Sequence, residues 1–293
     1  MTATTFAGLW RRAVAEHGDR PFLRFEDEAE AVTEWTYREF DSVVDGVAAT
    51  LTRHGVAAGA PVHLALGNCP AFVAVWLAAA RLGAWIIPAD PRGSAPELAE
   101  QLTRTRAVLG LCARTRAEEY RRAATEAGLT GLVELAEDAG DCAEGSVLRA
   151  PAGPLSCPDP APLDRMAVMF TSGTTARPKG VVLTQRLYAF TAEVMAETAG
   201  LAAGHRWLVT LPLFHANAQY YCFASAIRVG ASVALMARFS ASRWLRQACG
   251  HEVSHASLFA APLRMVLARA RRPERPLSLR HVWFAQNITT SQY

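Results

Sequence analysis

The sequence predicts an α/β fold in two lobes, each a largely parallel sheet flanked by helices. Three observations carry this. Short apolar runs rich in β-branched residues alternate with amphipathic stretches along nearly the whole chain, the pattern of parallel strands joined by helical crossovers. A stretch rich in Pro, Gly and Asp over residues 137–163 interrupts the alternation and reads as a surface connection. It separates a first lobe, 1–160, from a second, 161–293. The chain has 293 residues, 51% of them hydrophobic, enough for one large or two modest packed domains.

The first lobe opens with helical spacing over 7–17, stopping before Gly18-Asp19. Residues 21–25 and 31–35 read as a hairpin around an acidic turn. Thr36 is a plausible N-cap for a helix over 37–53, with Phe40, Val43, Val44, Val47 and Leu51 on one face. Gly55 and Gly59 close that unit. Residues 62–66 form a strand. Asn68-Cys69-Pro70 then opens a helix to 81, with Pro70 in its first turn. Strands at 84–88, 107–112 and 132–135 alternate with helices at 95–103 and 114–127.

In the second lobe, residues 167–170 and 181–183 are apolar strands on either side of a polar loop. A helix over 186–198 follows, then a strand over 207–210 ending at Leu211-Pro212. Beyond Phe214-His215-Ala216-Asn217-Ala218-Gln219, a helix runs to 229. A strand at 232–236 precedes a helix to 250, for which Ser240 or Ser242 is the expected cap. Strands at 254–259 and 281–285 enclose a helix at 262–271.

Totals exclude several functions. A net charge of +3 argues against a dedicated nucleic-acid surface. The N-terminal residues show no sustained apolar core of a secretory signal. The most apolar run, 71–80, stops at Arg81 and is too short to span a bilayer. Six cysteines lie scattered, none as C-x-x-C, so neither a zinc site nor a disulfide framework is expected. Free thiols in a reducing cytoplasm are the simplest reading.

The polar loop, Thr171 to Gly180, reads TSGTTARPKG. Gly173 allows a sharp turn that brings amide N–H groups close to an anion. Thr171, Ser172, Thr174 and Thr175 offer hydroxyl donors, and Lys179 a mobile positive charge. This composition suits phosphate; the bland alternative is a polar hairpin with a chance lysine. The common P-loop requires G-x-x-x-x-G-K-[ST] followed by a helix, whereas here Gly180 and a strand follow the lysine.

The order T-S-G-T-T-x-x-P-K-G resembles the phosphate loop of the adenylate-forming superfamily, which includes acyl-CoA ligases, luciferases and the adenylation domains of peptide synthetases. Ala176 stands where the family usually has Gly, and Gln185 where many members have His. The segment Leu-Pro-Leu-Phe-His ending at His215 is similar to the family segment beside the acyl pocket. FHANAQ resembles the acyl-CoA ligase branch that includes crotonobetaine/carnitine-CoA ligase. Taken from the residues alone, His215 could equally cap a buried turn, and Asn217 could cap a helix.

The resemblance implies the incomplete large N-terminal domain of an adenylate-forming enzyme, without its C-terminal lid domain. It implies ATP-dependent activation of a small carboxylic acid and transfer to coenzyme A, with Mg²⁺ required. Thr171, Ser172, Gly173, Thr174, Thr175, Lys179 and Gly180 would hold the nucleotide phosphates. Phe214, His215, Asn217 and Gln219 would line the substrate pocket, with Lys179 and His215 in catalytic roles and no metal ligand in this chain. Family segments that hold Mg²⁺ and ribose, and a second catalytic lysine, have no counterpart here, so little turnover is expected of these 293 residues alone. Other readings stay open: loading of an acyl-carrier protein, activation of nitrite, or a non-catalytic nucleotide-binding module.

Overall fold

Strand side chains alternate between two apolar clusters, so each sheet is covered on both faces. In the strand Ser232–Met236, Val233 and Leu235 join one cluster while Ala234 and Met236 join another. In the strand Arg206–Val209, Trp207 and Val209 turn one way and Leu208 the other. The computed structural model describes residues 4–151, 158–171, 178–269 and 275–285.

The chain begins with α1 (Phe6–His17), the hairpin β1 (Pro21–Glu26) and β2 (Val32–Thr36), and α2 (Tyr37–Arg53). Thr36 caps α2 as expected, within a reciprocal pair: Glu39 N–H donates to Thr36 Oγ1 at 3.2 Å, and Thr36 N–H to Glu39 Oε2 at 2.7 Å. Next come β3 (Pro61–Ala65), α3 (Pro70–Leu82), β4 (Trp85–Pro88), α4 (Ala95–Thr105), β5 (Leu109–Ala113), α5 (Ala117–Ala127) and β6 (Leu132–Leu135). Then follow β7 (Arg165–Thr171), β8 (Lys179–Thr184), α6 (Gln185–Thr198) and β9 (Arg206–Val209). The described chain closes with α7 (Ala224–Val229), β10 (Ser232–Met236), α8 (Trp244–Gly250), β11 (His255–Phe259), α9 (Ala260–Arg269) and β12 (His281–Ala285).

Two six-stranded sheets result, ordered β6-β5-β3-β4-β7-β8 and β12-β11-β9-β10-β1-β2. Pairing is parallel except at β7–β8 and β1–β2. The sheets cross the boundary placed at residue 160. The early hairpin β1–β2 pairs with β10, and β7–β8 pairs with β4. The reason is that strand neighbours are chosen by tertiary contact, which periodicity does not encode.

One cluster contains residues of both sheets and of α1, α2, α3, α6 and α7. A second packs α4 and α5 on the outer face of one sheet, and a third packs α8 and α9 on the other. The layers therefore run helix, sheet, helix, sheet, helix. At the centre, α3 buries every residue except Arg81, which reaches Asp41 and Asp45 of α2. The apolar run at 71–80 is thus a core helix, and no described helix is long and apolar enough to cross a membrane.

Local departures from the sequence reading have identifiable causes. Neither Ser240 nor Ser242 caps α8 through its side chain; their hydroxyls lie 3.2 Å apart, and the Ser240 carbonyl accepts from Trp244 N–H instead. The helix expected to reach residue 229 begins as a π-helical turn, Asn217–Phe223, before α7. Five described cysteines are free, four of them buried.

Candidate functional site

The predicted phosphate ligands Ser172, Gly173, Thr174 and Thr175 lie outside the described residues, as do Ala176 and Cys157. Both ends of the loop are described. Thr171 closes β7 and faces Lys179 across the antiparallel ladder, with Phe170 opposite Gly180. Thr171 Oγ1 donates to the Lys179 carbonyl at 3.5 Å. At Gly180 a Cβ would meet Val168 Cγ1 at 3.1 Å, so any side chain there would push on β7. β7 is parallel to β4, which places the loop beyond the carboxyl ends of these strands, where open α/β sheets gather ligands.

Lys179 is exposed, and its ammonium has no hydrogen-bond or ion-pair partner among the described residues. It is also the single lysine among 30 Lys and Arg residues. Everywhere else the chain uses Arg, whose planar fork suits fixed ion pairs. A compact ammonium on a flexible stem is the better mobile point charge for a phosphate. Composition carries this signal.

The second segment leaves the carboxyl end of β9 and passes through Phe214 and His215 into the π-helical turn. The two rings lie 4.4 Å apart. His215 is solvent-accessible, yet desolvation by the surrounding chain lowers its pKa below the ordinary value; the Asp90 carboxylate, on the loop after β4, acts the other way.

Asn217 and Gln219 are buried and bonded to the protein itself. Asn217 Nδ2 donates to Ser257 Oγ of β11 at 2.8 Å. Gln219 Nε2 donates to the Leu213 carbonyl at 2.6 Å, and Tyr188 OH of α6 donates to Gln219 Oε1 at 2.7 Å. These amides fix the backbone that carries Phe214 and His215.

Sequence reasoning missed Asn68. It was read as part of a helix opening, but its buried amide ties three segments together. Nδ2 donates to the carbonyls of Leu211 and Met236, each at 3.1 Å, and Leu213 N–H donates to Oδ1 at 2.8 Å. The carboxyl ends of β3, β9 and β10, from two different sheets, thereby meet at one side chain. An Asn just beyond a strand's carboxyl end was the available signal. Thr210, in the same loop, has a buried hydroxyl with no partner among the described residues. Gln185 is wholly buried: Ala7 N–H donates to its Oε1 at 3.1 Å, and its Nε2 contacts Met166 Sδ at 3.2 Å, so it ties α6 to α1.

The fold is that of an α/β protein in which the described ends of a hydroxyl-rich loop belong to one sheet and an aromatic–imidazole segment leaves the other. The sequence signature described as AMP-binding enzyme matches residues 10–292, and the chain belongs to that family. It is 26% identical to the crotonobetaine/carnitine–CoA ligase of Citrobacter koseri, over 97% of this chain and 56% of the relative. The Escherichia coli ligase of the same name is 25% identical over the same shares. The chain thus spans about half the length of the curated relatives it matches.

Solved structures agree on the fold. The O-succinylbenzoate coenzyme A synthetase of Bacillus subtilis, in complex with AMP, superposes with a TM-score of 0.81 at 23% identity, covering 97% of this chain and 68% of that one. The inhibitor-bound N-terminal domain of FACL13 from Mycobacterium tuberculosis gives 0.82 at 21% identity, covering 99% and 72%.

Proposed function

We propose that the protein carrying this chain activates a small carboxylic acid with ATP and transfers the acyl group to coenzyme A. In the first step a carboxylate oxygen attacks the α-phosphorus, and the bond to pyrophosphate breaks. In the second, the coenzyme A sulfur attacks the acyl carbon and AMP leaves. The observation that carries this reading is the hydroxyl-rich loop closed by Thr171 and Lys179 in a chain of the AMP-binding enzyme family.

Thr171, Ser172, Thr174 and Thr175 would donate to the β- and γ-phosphates, with Gly173 and Gly180 letting the backbone approach. Lys179 would follow the charge that builds on departing pyrophosphate, a role in which one preorganised donor is worth about 10²–10³ in rate. Phe214 and His215 would border the acyl group. Because burial lowers its pKa, His215 would act as a neutral imidazole, orienting the carboxylate through a hydrogen bond. Asn217 and Gln219 would keep that segment in place. Mg²⁺ would come with the nucleotide, bound chiefly by phosphate oxygens and water; its chemistry is to neutralise phosphate charge, and no residue of this chain is assigned as its ligand.

ATP–pyrophosphate exchange with the intact protein tests the first step. Exchange that depends on an added carboxylic acid is the expected result; no exchange with any acid would refute the reading. A product assay offering coenzyme A, carrier protein and nitrite identifies the acceptor, and thioester formation only on a carrier protein or diazotisation only with nitrite would overturn the coenzyme A step.

A further inference from the structure

The base of the anion loop is held by a residue far away in sequence. Arg104, on the last turn of α4, donates from Nη1 to the Pro178 carbonyl at 2.7 Å. Its guanidinium also lies over the Phe170 ring, 5.0 Å from the centroid. Glu100, one turn earlier on α4, pairs with the same nitrogen at 3.2 Å. One side chain therefore touches the last apolar residue before the loop and the loop residue that immediately precedes β8.

The two contacts act on opposite ends of the loop. Phe170 precedes Thr171 on β7, and Pro178 precedes Lys179 on β8. Pro178 has no N–H to add to the ladder, so its carbonyl is the available main-chain handle on that side. A planar guanidinium meets both demands at once: its face rests on the ring and its edge donates to the carbonyl. Glu100 limits the directions in which the guanidinium turns.

We infer that Arg104 is a positioning residue for nucleotide phosphate: it sets the separation of the loop's ends and the point from which the Lys179 ammonium departs. It touches no substrate itself. The inference rests on the phosphate-binding reading of the loop and adds a residue outside the motif to it. Through α4, the outer helical layer gains a direct grip on the anion site.

The test is steady-state kinetics on the intact protein, with Arg104→Ala and Arg104→Lys beside Lys179→Ala. Arg104→Ala is expected to raise the KM for ATP about tenfold, the scale of one lost charge-assisted hydrogen bond, while the KM for the acid stays within twofold. Arg104→Lys, which keeps a donor and a cation but loses the planar stack, is expected to recover part of the loss. A thermal melt for each variant separates misfolding from mispositioning. An ATP KM within twofold of wild type in well-folded Arg104→Ala overturns the inference, and so does an equal rise in both KM values. If Lys179→Ala weakens ATP use while Arg104→Ala does not, only the role of Arg104 fails. If neither does, the phosphate reading fails with it.

Discussion

The two arms of the proposed site are built in opposite ways. On the side proposed to face the acid, around the segment between β9 and α7, the buried amides are committed to the protein: Asn68, Asn217 and Gln219 all bond to main chain or neighbouring side chains. On the side proposed to bind phosphate, Lys179 is exposed and its ammonium is unpartnered among the described residues. The supports of that side, Arg104 and the β7–β8 ladder, stop at the loop's two ends. A pocket wall needs a fixed shape, which buried hydrogen bonds supply. A phosphate grip needs donors left available for the ligand.

That contrast can be broken by substitution. The largest effect is expected from Lys179→Ala, which should lower ATP–pyrophosphate exchange by about 10²–10³ with little change in thermal stability; a melt and an exchange assay on the same preparation check both halves. Lys179→Arg should recover only part of the rate, because the fork is less mobile than an ammonium. Asn68→Ala should do the reverse. It strips partners from two carbonyls and one N–H in the interior, so chemical denaturation should show a loss of about 2–4 kcal/mol. Any surviving activity should show a raised KM for the acid more than for ATP.

A third prediction concerns His63, which is fully buried between Tyr120 OH at 2.8 Å and Gln101 Oε1 at 3.2 Å under the outer helices α4 and α5. Burial pushes its pKa down to about 4. The unfolded chain, near 6.5, therefore takes up a proton first as pH falls. The stability from keeping this imidazole neutral is complete above about pH 6.5 and is lost between there and about 4, up to roughly 3 kcal/mol. His63→Gln should flatten that part of the stability profile, read by urea denaturation at stepped pH. An unchanged slope would refute it.

The smallest effect is expected at Thr210. Its buried hydroxyl lacks a partner among the described residues, so Thr210→Val should leave stability unchanged or raise it by up to about 1 kcal/mol. A loss above that range would mean that the hydroxyl is bonded in solution, which a denaturation curve detects.

What the sequence disclosed and what it withheld follow one physical line. The apolar runs of β9 and β10, the capped start of α2 at Thr36, and the strand–loop–strand around Lys179 are local, and each could be read from a few adjacent residues. The interleaving of β1–β2 with β10 and the knot at Asn68 join residues separated by 143 or more positions. No window of adjacent side chains specifies those partners. Asn217 shows the limit within a motif: its position was legible, but its amide turns to Ser257 on β11, a choice made by packing. Gln185 and Arg104 show the same from another side, since each takes its role from a helix or strand far away in the chain.

The central claim is that the turn between β7 and β8 binds nucleotide phosphate while the β9 segment serves the acid. Calorimetric titration of the intact protein with ATP, repeated for Lys179→Ala and His215→Ala, tests it most directly. The account predicts that Lys179→Ala weakens ATP binding by about tenfold or more and that His215→Ala leaves it within twofold. Equal ATP affinity in wild type and Lys179→Ala, or a loss confined to His215→Ala, would contradict it.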